Sequence, residues 1–209
     1  MKLGLAVLRA IVGTLFMGHG LQKLAGWFGG HGLEGTAAFF ESLGLRPGKA
    51  QAAASGTAET VGGALCGSGF ITPLGASLIS GSMITAIRKV HAKNGVWVSN
   101  GGFEYNLVLL GAVFAITDLG PGAWSLDEAL GTRRSGPGWA VAQLLAGALG
   151  SACAVALGER LGPRGTDAPL RAPAPRRRLR RGQTPCCGRW HREPLRRRCT
   201  KTCNAPIAL

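Results

Sequence analysis

The chain has 209 residues, 46% of them hydrophobic, and a mean hydropathy of +0.18, high for a protein that confines its apolar residues to a small interior. The formal charge of +14 is concentrated at one end: residues 159–209 carry 14 Lys and Arg against Glu159, Asp167 and Glu193, while ten basic and seven acidic residues leave +3 on residues 1–158. A near-neutral apolar body with a basic tail gives no ground for nucleic-acid binding. Cysteines divided between the body (Cys66, Cys153) and the tail (Cys186, Cys187, Cys199, Cys203) do not resemble a secreted disulfide framework.

The apolar residues fall in blocks about as long as a bilayer is thick, roughly 20 residues each. The first block runs from Leu3 to about Leu24. A secretory signal is the competing reading of this block, but Arg9 interrupts it and no A-x-A-like cleavage site follows. GTAAFFESLG at 35–44 predicts a short interfacial helix with Phe39, Phe40 and Leu43 on one side and Gly44 as its stop. The second block covers about 50–71. Thr72-Pro73 then restarts a helix, with Thr72 as N-cap and Pro73 at the first helical position, for a third block over about 73–90. HAKNGVWVSNGG is a polar loop rich in turn residues. The fourth block covers 103–119 and ends at Gly120-Pro121-Gly122. SLDEAL at 125–130 has the Ser-x-x-Glu spacing of a capping box. Residues 138–158 are long enough for a fifth span, though rich in Ala and Gly. The remainder, with many Pro and Arg and no apolar period, reads as disordered.

The expected fold is therefore all-α. It is a polytopic membrane helical bundle over 1–158 with four core spans and a fifth, followed by a basic tail over 159–209. Lys and Arg in the short loops test the topology. The connection after the first span carries Lys23, Arg46 and Lys49, that after the second none, that after the third Arg88, Lys89 and Lys93, and that after the fourth Arg133 and Arg134 beside Asp127 and Glu128, with the large excess in the tail. This alternation predicts a multi-pass plasma-membrane protein with its N-terminus outside and its tail in the cytoplasm. Small residues, including Gly56, Gly62, Gly63 and Gly67, predict close helix packing, as in lipid-embedded bundles.

The charged residues inside these blocks are the candidate site. Arg9, His19 and Lys23 fall within an arc of roughly 80° on a helix turning 100° per residue. A charge at mid-bilayer costs at least ~2.5–3.5 kcal/mol, so this stripe should face protein and meet acidic partners at matching depth. Two clusters are expected. Arg9–Glu59–His19 would lie inside the bundle, and Lys23–Glu104 at its inner mouth, with Tyr105 and Asn106 adding hydrogen bonds. The plainer alternative is that Arg9, Lys23 and Glu104 extend to water from the span ends. Glu59 is mid-span and too short for that. With His19, whose ordinary pKa is near neutrality, it could form a proton relay.

Several stretches together resemble the DoxX family of small bacterial membrane proteins. They are Arg9, GHGLQK at 18–23, GWFGGHGLEGTAAFFESLGLRPG at 26–48, AETVGG at 58–63, the Thr72-Pro73 restart, HAKNG at 91–95, GGFEYN at 101–106 and GPGAWSLDEAL at 120–130. The resemblance covers roughly residues 3–130 and implies a four-helix membrane bundle. The family takes its name from a subunit of a membrane thiosulfate:quinone oxidoreductase, and other members are linked to membrane complexes that handle thiol and oxidative stress. Its charged positions match Arg9, His19, Lys23, Glu59 and Glu104 here. The leading expectation puts Glu59 and His19 in proton handling, Arg9 against a negative quinone oxygen or Glu59, and Lys23 and Glu104 near a quinone at the cytoplasmic mouth, with no covalently bound cofactor. The implied partners are membrane lipids and a soluble redox or sulfur-transfer enzyme, with a homo-oligomer left open. On this reading the protein is at most a non-catalytic or quinone-interacting subunit. The rivals are a small-solute or proton transporter and a structural scaffold.

Other motifs carry less. The glycine runs lack the Lys-Ser/Thr ending of a phosphate loop. No pair of histidines at helical spacing offers haem ligation between spans. In the tail, Cys186 or Cys187, His191, Cys199 and Cys203 could be read as a zinc site, but the adjacent cysteines are a poor start for one. The Arg runs at 176–181 and 196–198 suit anionic lipid headgroups. Unselected sequence, such as a shifted reading frame, is the third reading of the tail.

Overall fold

The computed structural model describes residues 3–161. The readings of the tail as disordered, zinc-binding, lipid-binding or unselected fall beyond Leu161 and lie outside the described residues.

Among the described residues there are seven α-helices and no strand. They are α1 (Leu3–Ala25), α2 (Gly32–Ser42), α3 (Gly48–Ser68), α4 (Thr72–Ala86), α5 (Glu104–Leu119), α6 (Leu126–Ala129) and α7 (Pro137–Arg160). A π-helical turn over Ile87–His91 prolongs α4. Helix α3 ends three residues before the expected bound because Gly69, in the left-handed region, closes it. The Gly69 N–H donates to the Cys66 carbonyl and the Phe70 N–H to the Leu65 carbonyl, the paired bonds of a Schellman stop.

Contacts fix the directions. Gly13 packs on Gly63 and Gly67, and Gly20 on Gly56 and Thr60, so α1 and α3 are antiparallel. Gly62 meets Gly75 and Leu78, which makes α3 and α4 an antiparallel hairpin. Helices α4 and α7 run parallel: Ser80 donates to Gln143 at 3.0 Å, Thr85 to Ser151 at 2.8 Å, and Lys89 to Glu159 at 2.8 Å. The ends of the bundle can therefore be named by α1 as the Arg9 end and the Lys23 end. Between them lies an apolar core of Val12 and Phe16 from α1, Cys66 from α3, Ala76 and Ile79 from α4, and Leu109, Val113 and Ile116 from α5.

Glycine permits the closest approach. A Cβ on Gly13 would stand 2.5 Å from the Gly67 Cα, and one on Gly63 would stand 2.6 Å from the Gly13 carbonyl oxygen. Helix α7 joins α4 in the same manner, since a Cβ on Gly147 would lie 2.7 Å from the Ser80 Cβ.

Two helices, α1 and α7, are long and apolar enough to cross a membrane, and α7 is the more apolar although its Ala and Gly content suggested a weak span. Only 33% and 28% of their apolar windows are buried, unlike the core helix of a soluble protein. Val7, Ile11 and Leu15 on α1 and Val141, Leu145 and Leu149 on α7 form exposed apolar stripes. Helix α2 is the expected short helix; it buries Thr36 and Ala37 and leaves Phe39 exposed.

Candidate functional site

Lys23 lies in the last turn of α1, and Glu59 lies in the middle of α3. Lys23 Nζ stands 2.5 Å from Glu59 Oε1 and also donates to Ser55 Oγ at 3.2 Å. The Lys23 side chain is 25% exposed and that of Glu59 only 3%. Glu59 Oε2 is buried and has no hydrogen-bond partner among the described residues. Buried polar atoms are nearly always satisfied, so this bare oxygen marks a position where a further hydrogen-bond donor fits.

This pairing differs from the expected Arg9–Glu59–His19 cluster, for two physical reasons. The contacts put Glu59 at the level of residues 19–23 of α1, about a turn lower than equal span lengths suggested. In addition, helical side chains lean toward the N-terminus of their own helix. In the antiparallel α1–α3 pair, Lys23 and Glu59 therefore lean toward each other, while Arg9 leans away from Glu59 toward the far end.

Arg9 is 4% exposed and bound by carbonyls there. Its guanidinium donates to the Pro121 carbonyl, to that of Trp124 at 2.6 Å and to that of Gly67 at 3.4 Å. It ties the end of α3 to the segment after α5. Beside it stands Asp127, fully buried although its spacing in SLDEAL signals only the Ser125 cap of a short helix. Asp127 Oδ1 accepts from the Ile71 N–H and the Thr132 hydroxyl, and Oδ2 accepts from the Thr72 N–H and hydroxyl. Thr72 is therefore the first residue of α4 and not its cap. Ile71, in the left-handed region, precedes it with no capping side chain, and Asp127 caps the helix from a distance. Burial opposes the Asp127 charge, but the bonds from Thr72, Ile71 and Thr132 outweigh it and hold the carboxyl below its ordinary range. The Ser125 cap of α6 matches its sequence signature, with the Glu128 N–H donating to Ser125 Oγ at 3.2 Å.

Glu104 does not meet Lys23. The Phe103 and Glu104 N–H groups donate to the Gly95 and Val96 carbonyls, which folds the loop back on itself and aims Glu104 Oε2 at the Val98 N–H, 3.0 Å away. Tyr105 is exposed, and Asn106 contacts the Met83 sulfur at 3.3 Å rather than joining a charged cluster. His19, half-buried, has Nδ1 3.1 Å from Gln22 Oε1 and packs edge-on to Phe16. Of the five predicted residues, the structure brings Lys23 and Glu59 together, keeps His19 one turn above Lys23, and separates Arg9 and Glu104 from them.

Among the described residues, fold and site define an all-helical body with exposed apolar stripes on α1 and α7 and a buried ion pair near one end. A family model described as DoxX matches residues 4–92, a stretch that includes Arg9, His19, Lys23 and Glu59. The match stops short of Glu104 and of residues 120–130. No curated protein and no solved structure matches the chain. The match to the DoxX model and the exposed apolar helices α1 and α7 together point to a membrane protein.

Proposed function

We propose that this chain is a multi-pass plasma-membrane protein and the membrane subunit of a quinone-linked oxidoreductase complex that handles sulfur, thiol or oxidative-stress chemistry. The observation that carries this reading is the Lys23–Glu59 pair. It is an ammonium donor and a carboxylate with one free acceptor oxygen, held in an apolar bundle. Such a donor–acceptor set fits a quinone headgroup, whose oxygens accept a hydrogen bond in one redox state and donate one in the other. A quinone, when bound, supplies two-electron, two-proton redox chemistry. Lys23 would orient an acceptor oxygen, Glu59 would hold or pass a proton at Oε2, and His19 one turn away would relay it.

The alternation of basic loops supports an outside N-terminus and a cytoplasmic Lys23 end. The apolar core between the Lys23–Glu59 pair and the Arg9–Asp127 cluster favours this reading over a solute transporter, which needs a polar path through the bundle.

The test is a mild-detergent pull-down from native membranes, paired with Glu59→Gln. A stoichiometric soluble redox or sulfur-transfer enzyme is expected, and Glu59→Gln should keep that partner while lowering quinone reduction at least tenfold. A clean preparation of this chain alone would overturn the subunit reading. Altered solute flux with unchanged redox activity would favour transport, and loss of assembly alone a scaffold.

A further inference from the structure

The Lys23–Glu59 pair is closed on one side and open on the other. Toward the Arg9 end, Phe16, Cys66, Ile79, Val113 and Ile116 are almost completely buried and stand between Glu59 and the Arg9–Asp127 cluster. Toward the other end, Lys23 is a quarter exposed, Ser55 is half-buried, and α1 finishes two residues later. We propose that Glu59 exchanges protons with the aqueous phase at the Lys23 end alone. This rests on the reading of the pair as a proton-handling site.

The groups that bear on Glu59 support this direction. Helix α1 presents Lys23 and His19. Helix α3 itself presents Ser55, along with Thr60, whose hydroxyl donates back to the Gly56 carbonyl. Helix α4 has no titratable side chain between Thr72 and Ala86. Glu34, Glu41, Lys49 and Glu104 lie at the Lys23 end with partners of their own. Arg9 and Asp127 are held at the opposite end. A proton arriving past Lys23 converts the Glu59 carboxylate to the carboxylic acid. Lys23 keeps its ammonium and its bond to Ser55, and the site then carries the single positive charge of Lys23. Release along the same route restores the ion pair.

The full chain, reconstituted in phosphatidylcholine vesicles, tests this. A membrane-impermeant amine reagent on exposed Lys93 reports which face carries the Lys23 end. A hydrophobic carbodiimide, which couples to protonated carboxyls, then reports Glu59 by mass spectrometry. The adduct should rise severalfold as pH falls on the Lys23 side and stay unchanged for the same pH step on the other side. Glu59→Gln should abolish it. Phe16→Ala, which thins the apolar core, should make labelling respond to both sides. Response of the unaltered chain to the far side, or no labelling at any pH, overturns the proposal. A pull-down that finds no redox partner leaves the labelling pattern unchanged, so the two readings fail separately.

Discussion

Glu59 and Lys23 depend on each other unequally. Removing one member of a buried ion pair costs ~3–5 kcal/mol because the other charge is left uncompensated. Lys23→Met strands a carboxylate that is 3% exposed, whereas Glu59→Gln leaves a lysine that is 25% exposed and can turn toward water. Lys23→Met should therefore lower the unfolding temperature in detergent more than Glu59→Gln, and the double variant should recover part of the loss. Additive losses would show that the pair is not coupled. Asp127 gives a pH signature of opposite origin. Its carboxyl titrates below the ordinary value in the folded chain, so its stabilising effect is complete above pH ~4 and disappears as pH falls through the lowered folded value. Asp127→Asn should flatten that part of an acid-unfolding curve while costing about 1–3 kcal/mol at neutral pH. Glu59 was legible in the sequence as a mid-span carboxylate. Its partner was not, because position along a helix axis does not show the lean of side chains. Asp127 was invisible as a cap because its contacts are 55 and 56 residues away.

At the level of elements, the order and approximate bounds of the helices follow from apolar blocks and their stop signals. The one notable shift, the early end of α3, comes from Gly69 acting as a stop within a stretch that stays apolar through Ile71. The glycines of α1 and α3 were legible as packing residues, but which glycine faces which required the fold. Gly13→Ala places a methyl group against α3 backbone that cannot yield, and should lower the unfolding temperature by several degrees. Gly18→Ala, with open space around its Cβ, should leave it unchanged or slightly raised. Equal effects of the two substitutions in the same thermal scan would sink the close-packing account. The charged loops were harder to read. Glu104 looked free to meet Lys23, yet the backbone of residues 95–104 folds so that its nearest donor is the Val98 N–H.

Across the whole molecule, the four tryptophans of the described residues are all exposed and divide between the two ends. Trp27 and Trp97 lie at the Lys23 end, and Trp124 and Trp139 at the Arg9 end. Tryptophan prefers the boundary between hydrocarbon and water, and α1, at 23 residues, extends about 35 Å between those ends. In vesicles, spin-labelled lipids carrying the quencher near the headgroup should quench Trp fluorescence more than those labelled at the chain terminus. Trp190→Phe keeps the tail from contributing to the signal. Stronger quenching from the bilayer centre would contradict this arrangement. Neither belt could be read from the sequence alone, because which end each loop occupies depends on helix direction.

The Asp127 cap also has a temporal consequence. Chains are made from the N-terminus, so the start of α4 leaves the ribosome 55 residues before the carboxylate that completes it. Until Asp127 is synthesised, the Ile71 and Thr72 amides have no protein acceptor in this arrangement, and Arg9 lacks the Pro121 and Trp124 carbonyls. The first three long helices can form in sequence, but their Arg9 end is finished only when the segment after the fourth arrives. A nascent chain whose residues beyond 120 are still missing or inside the ribosome should therefore remain open to protease at the α3–α4 turn, and one from which Asp127 and Thr132 have emerged should be closed.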